Sequence, residues 1–139
     1  QADVNWLKAK LDAGANEALT QFFFEAETFF RFRDACEKAG IDAPITPGIL
    51  PIENWKGARN FAIRCGTAIP TWVEDAFEKA SRDGREDLLA TAMCTQLCSD
   101  LIDGGVDKLH FYTLNRPELT RDVCHALGVT PKVALQNVA

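Results

Sequence analysis

No apolar run in this 139-residue chain approaches the roughly 20 residues of a membrane-spanning helix, which excludes an α-helical span. No basic stripe is present either. Fifteen Lys and Arg stand against 20 Asp and Glu, a net charge of −5, which argues against a general nucleic-acid binder. That balance still permits an anionic ligand, because a local Lys or Arg can act inside an acidic protein. A C-x-x-C pair is missing too: the cysteines are Cys36, Cys65, Cys94, Cys98 and Cys124, an odd number that suggests reduced thiols in a cytosolic protein. Cys94 and Cys98 lie four apart on a predicted helix and share a face. Neither a His nor a second Cys pair completes a tetrahedral set around them, so the expectation is buried, inert thiols and no metal. Also absent are the G-x-G-x-x-G, P-loop, G-x-S-x-G and H-E-x-x-H motifs, which removes the commonest nucleotide, hydrolase and metalloprotease readings.

What is present is the composition of a soluble globular domain, with 47% hydrophobic and 25% charged residues. Val4, Leu7 and Leu11 recur at helical spacing before Gly14, which predicts an opening helix. Ala18–Phe24 is short, apolar and aromatic, as a strand buried on both faces would be. A helix over Glu25–Ala39 closed by Gly40 follows, then a strand over Pro44–Leu50 in which Pro47-Gly48 marks an end or a bulge. Further helices fit Asn54–Cys65, Thr71–Ser81 and Arg85–Ile102, the last stopped by Gly104-Gly105. A third strand fits Val106–Thr113, and a final helix runs from Pro117 to Leu127 with Gly128 as its cap. Residues from Thr130 to Ala139 carry no periodicity and read as a tail. Strands alternating with helices long enough to cross back over a sheet imply parallel α/β architecture. Three strands make either a small open unit or a slice of a barrel, since a complete (β/α)8 barrel takes about 250 residues. The opening residue Gln1, where a natural cytosolic chain begins with Met, agrees with the slice.

Ligands bind at the C-terminal ends of parallel strands. Those ends offer Gln21, Pro47-Gly48 and the run Tyr112-Thr113-Leu114-Asn115-Arg116. Gln21 lies between apolar neighbours in a strand read as buried, so its amide needs partners, either a structural network or a ligand. Arg116 precedes a Pro-started helix, where its guanidinium can fork onto a carboxylate or a carbonyl-rich heterocycle, or simply face solvent. His110 in a strand and His125 in a helix read as structural. Residue pattern alone stops at an α/β ligand-binding face of unknown chemistry.

Two stretches go further: Asp12-Ala13-Gly14-Ala15-Asn16-Glu17-Ala18-Leu19-Thr20-Gln21-Phe22-Phe23-Phe24, and His110-Phe111-Tyr112-Thr113-Leu114-Asn115-Arg116. Together, with Arg31-Phe32-Arg33-Asp34, Pro47-Gly48-Ile49-Leu50-Pro51 and Ile69-Pro70 between them in order, they resemble the methylenetetrahydrofolate reductases from Gln1 to about Gly128. The resemblance implies that residues 1–129 are the C-terminal portion of a (β/α)8 TIM barrel, with about three parallel strands. It also implies an FAD-dependent enzyme that reduces 5,10-methylenetetrahydrofolate to 5-methyltetrahydrofolate with NAD(P)H, as a cytoplasmic homo-oligomer when intact. By the same resemblance, Gln21 matches a glutamine that meets both the pterin and the nicotinamide, while Phe61, Tyr112, Leu114 and Arg116 match the folate-side wall. Asp3 and Lys10 match flavin-binding positions. The family's catalytic Glu falls upstream of Gln1, in an N-terminal barrel half that the fragment needs as its partner, so this piece alone is expected to be inactive.

Three positions depart from the family pattern. Trp6 and Ala9 stand where relatives often carry polar or basic residues, and Gly57 stands where many bacterial relatives place a folate-contacting Gln. Two other readings compete: a half-barrel interaction module that needs a partner chain, and a flavin barrel of the proline dehydrogenase type. The run from His110 to Arg116 favours the folate enzymes over the other flavin barrel, and a separate chain supplying the other strands would mark the interaction module.

Overall fold

The computed structural model describes residues 2–129, and the tail assigned to Thr130–Ala139 lies outside them. Nine elements follow one another: α1 (Ala2–Asp12), β1 (Ala18–Phe22), α2 (Ala26–Lys38), β2 (Ile45–Ile49), α3 (Trp55–Cys65), α4 (Thr71–Arg82), α5 (Glu86–Asp103), β3 (His110–Phe111) and α6 (Glu118–Ala126). Type and order agree with the sequence reading throughout. Helix α3 shows why its ends were legible. The Asn54 side chain accepts the Gly57 N–H at 2.7 Å, supplying one of the partners that a helix start lacks. At the other end Gly66 takes the left-handed conformation (φ 69°) that lets its N–H turn back to the last carbonyls.

The three strands form one parallel sheet in the order β1-β2-β3. Its register slips once. Leu19 pairs with Thr46 and Phe22 with Gly48, so β1 spends two residues, Thr20 and Gln21, opposite Pro47 alone. Pro47 has no N–H to give the ladder, and a bulge on the neighbouring strand accommodates that loss. The next N–H of β2, from Gly48, donates to the Thr20 hydroxyl at 3.0 Å.

Two strand readings need correction. The third strand, read over Val106–Thr113, is only His110–Phe111, paired with Gly48 and Ile49. It has a neighbour on one side within this sheet and so gains little from extending. The first strand is not buried on both faces: Leu19 is 52% exposed and Gln21 is exposed, and burial begins only at Phe22. Burial along β1 alternates, with Leu19 and Gln21 on the open face and Ala18, Thr20 and Phe22 on the more covered one, as in a strand buried on one face only.

Packing ties the sheet to its helices in three apolar clusters. Phe22, Phe24 and Leu50 meet Trp55 and Ala62 of α3, Val73 and Phe77 of α4, and Ala90 of α5. Phe23 and Ile49 meet Phe29 of α2, Cys94, Cys98 and Leu101 of α5, and Val123 of α6. Val4 and Leu7 of α1 pack on Cys36 of α2 and on Ile41. An aromatic chain runs through the first cluster, from Phe61 stacked on Phe22 (5.3 Å between centroids) through Phe24 and Trp55 to Phe77 (4.7 Å). Offset and edge-on ring pairs of this kind add to the stabilisation by area alone.

Candidate functional site

The bulge on β1 gathers the site. Thr20 and Gln21 stand proud of the ladder at the C-terminal end of the sheet, and each neighbour is held by a different strand or helix. The Tyr112 hydroxyl donates to the Thr20 carbonyl at 2.9 Å, reaching from the end of β3 across the whole of β2. That path exists because position 48 is glycine: a Cβ there would lie 2.4 Å from the Thr20 carbonyl oxygen and 2.6 Å from the Tyr112 ring. The Tyr112 N–H donates to Ile49 at 2.8 Å, and His110 meets the tyrosine ring edge-on at 4.7 Å. His110 is thus a structural partner, as its strand position suggested. On the other side of the bulge, Phe22 carries the stacked Phe61 ring, so Phe61 and Tyr112 flank the segment that bears Gln21.

Gln21 is not the buried amide of the sequence reading. Its Oε1 accepts the Phe22 N–H at 3.1 Å, which leaves the amide NH2 as the free donor of an exposed side chain. Leu114 and Arg116 lie on the turn after β3 at the same end of the sheet. Leu114 (φ 50°, 62% exposed) and Asn115 (φ 63°) are consecutive non-glycine residues in the left-handed region, and the Arg116 N–H closes the turn onto Thr113 at 2.9 Å. Among the described residues the Arg116 guanidinium has no hydrogen bond or ion pair, so it is available to an anion or a carbonyl.

A cavity of about 980 Å³ opens along the free edge of β1. Its lining includes Asp3, Trp6 and Lys10 of α1, Leu19 and Gln21 of β1, and Ile69. Asp3, Trp6 and Lys10 share a helix face at spacings of three and four, and all three are exposed. Lys10 has no ion pair among the described residues, unlike Lys8, which reaches Asp12. Gln21 therefore belongs both to this cavity and to the Phe61–Tyr112 face, while Phe61, Tyr112, Leu114 and Arg116 lie outside the cavity wall.

One pair at the mouth escaped sequence reasoning. Glu25 occupies the N-cap of α2 yet makes no cap bond, and its carboxylate instead accepts the Trp72 indole N–H at 2.8 Å. The bond links the β1–α2 loop to the start of α4. A glutamate where Ser, Thr, Asp or Asn is the usual cap was the available signal.

Cys65 lines the cavity and the other four cysteines do not, and all five are free. Burial pushes the Cys36 thiol up, and burial together with nearby Cys98 does the same to Cys124. Cys94 and Cys98 are hydrogen-bonded to each other. That bond, with burial added, pushes Cys94 well above the ordinary thiol range, while Cys98, as acceptor, is lowered by it. Among the described residues no group of three or more His, Cys, Asp or Glu is placed to hold a metal ion. No helix among them is long and apolar enough to cross a membrane.

Comparison with known proteins agrees with the geometry. Residues 1–128 match the family model described as methylenetetrahydrofolate reductase. The chain is 47% identical over 132 residues to 5,10-methylenetetrahydrofolate reductase of Salmonella typhimurium and 46% identical over 132 residues to that of Escherichia coli, covering 94% of this chain in both cases. It is also 39% identical over 133 residues to the probable methylenetetrahydrofolate reductase (NADPH) of Caenorhabditis elegans. The matches span 45% of each bacterial relative's length and 20% of the nematode one's. With residues 1–128 matched to the family model, the chain belongs to the methylenetetrahydrofolate reductase family.

Proposed function

We propose that residues 1–129 form the C-terminal part of a catalytic (β/α)8 barrel that reduces 5,10-methylenetetrahydrofolate to 5-methyltetrahydrofolate with FAD and NAD(P)H, and that this part carries the folate side of the site. The observation that carries the reading is the placement of Gln21. Its free NH2 points from a bulge at the C-terminal end of the sheet, between the α1–β1 cavity and the Phe61–Tyr112 face. A donor there is accessible to two ligands that use one surface in turn. The exposed Leu19, Trp6 and β1 edge support a further barrel portion that covers them. That portion would also bring the family's catalytic carboxylate, so the isolated chain is inactive in this reading.

The residues present fit one wall of a flavin site. Lys10 would neutralise the diphosphate, and Asp3 would accept from hydroxyl groups of the sugar chain, both from the exposed face of α1. Trp6 and Ala9 offer packing rather than charge at the two positions between them. When bound, FAD supplies the hydride-transfer chemistry, and the protein supplies position and electrostatics. Gln21 orients the heterocycle by donating from Nε2, Phe61 excludes water from one side, and Arg116 meets the carboxylate end of the substrate.

The test is a chimera that carries the N-terminal portion of the Salmonella typhimurium relative ahead of this chain. It is expected to bind flavin and reduce the folate with NADH, while the chain alone stays colourless. Within that chimera Gln21→Glu is a clean probe. The carboxylate still accepts the Phe22 N–H, and only the outward donor is lost, removing a hydrogen bond of roughly 0.5–1.5 kcal/mol and adding an acceptor in its place. Rapid mixing should show folate-dependent reoxidation slowed more than reduction by the nicotinamide. Equal, unchanged rates would return Gln21 to a structural role.

A further inference from the structure

We infer that the Tyr112 hydroxyl is a positioning group for Gln21: it fixes the β1 bulge, and through it the direction in which the Gln21 amide donates. This inference rests on the reading of Gln21 as the substrate-orienting donor, and it goes beyond that reading by naming what holds the donor in place. A bulge is the part of a strand with the least help from its ladder. Here three bonds replace that help. Gly48 N–H donates to Thr20 Oγ1 (3.0 Å), Phe22 N–H donates to Gln21 Oε1 (3.1 Å), and Tyr112 O–H donates to the Thr20 carbonyl (2.9 Å). The last belongs to the peptide unit that leads into Gln21, so its orientation sets that of the Gln21 backbone.

Tyr112 is suited to the task because it is itself immobilised. Its N–H is bonded to Ile49, its ring lies across Gly48 with no space for a side chain there, and His110 supports the ring edge-on. With its hydroxyl committed to Thr20, Tyr112 donates its one side-chain proton inside the protein and not to a ligand. The arrangement reaches across the sheet, with the residue after β3 supplying the donor, β2 the gap and β1 the acceptor. A phenylalanine would keep the ring contact and lose only the tether.

The Phe22 amide proton is the reporter, because its acceptor is the Gln21 side chain. In the chain itself, Tyr112→Phe is expected to speed hydrogen exchange at Phe22 by about three- to tenfold, the effect of losing one ordinary hydrogen bond, while the α5 amides keep their protection. Unchanged exchange at Phe22 with α5 intact overturns the inference. Should Tyr112→Phe lose the fold, His110→Leu, which withdraws the support of the ring and keeps the hydroxyl, must still raise exchange at Phe22; no rise overturns it equally. The enzymatic arm is a double-mutant cycle in the chimera. Tyr112→Phe should raise the folate KM with Gln21 present and add nothing in a Gln21→Ala background. The same increase in both backgrounds would mean that Tyr112 acts on the folate independently, which also overturns the inference. An inactive chimera counts against the proposed function, while the exchange measurement still decides the role of Tyr112.

Discussion

The two sides of Gln21 are built differently. On one side Phe61 and Tyr112 are anchored in the sheet and the core, through the aromatic chain that ends at Phe77 and the tether to Thr20. On the other, Asp3, Trp6 and Lys10 stand on an exposed helix face, and Trp6 is 69% exposed. The first wall is braced by packing and hydrogen bonds, and the second is an open helix face. A ligand held against the first would meet side chains already fixed in place, whereas one held against the second would meet exposed side chains of α1.

That contrast can be broken most sharply in the core. Phe77 is fully buried, and Phe77→Ala should cost about 3–5 kcal/mol in chemical denaturation, whereas Trp6→Ala at the open helix face should cost less than about 0.5 kcal/mol. Similar losses at both sites would erase the distinction. Gly48→Ala comes next, at roughly 1–3 kcal/mol, because the new methyl group meets backbone oxygen and the Tyr112 ring at once. Its signature is a loss of protection at Phe22 that accompanies the loss of stability.

Alkaline titration probes the thiols packed beneath α1 (Cys36) and on α5 and α6 (Cys94 and Cys124). Cys36, Cys94 and Cys124 hold their protons above the ordinary thiol value of 9.0 in the folded chain. The unfolded state ionises first, so their contribution is fully present below that value and is lost as pH rises beyond it. Lowered Cys98 works in the opposite sense, which limits the slope. Urea midpoints should therefore hold steady up to the ordinary thiol range and fall above it, and Cys36→Ala should reduce the fall. The smallest effect is expected at Gly57→Gln. A Cβ there would lie 2.8 Å from the Asn54 Oδ1 that caps α3, which opposes the gain of about 1 kcal/mol from removing a helical glycine. Stability should change by less than about 1 kcal/mol, and the folate KM of the chimera should fall or stay level.

Much of this was legible before the fold was known. Helices closed by Gly40, Gly66 or Gly128 and opened by Asn54 or Pro117 carry their boundaries in local chemistry, which is why their type and order agree with the pattern. What failed was non-local. The short β3 reflects how little sheet lies beside it, which no property of Val106–Thr113 encodes. Gln21 is exposed with Leu19 on the open face of β1, and which face of a strand is covered depends on elements distant in sequence. For the site, resemblance singled out Gln21, Phe61 and Tyr112, and the structure joins them through Thr20 and Phe22. The link between Glu25 and Trp72 spans 47 residues and had no local sign beyond an unusual cap.

The turn that carries Arg116 has a consequence for how this region tolerates change. Leu114 and Asn115 both take left-handed backbone angles, a conformation that costs a leucine roughly 1–2 kcal/mol and an asparagine less. Glycine at 114 would relieve that cost. It would also free the loop to wander, and it would remove the apolar side chain that stands beside the site. Leu114→Gly would thus combine two opposed effects at one position, relief of backbone strain and loss of the restraint on the turn that precedes Arg116.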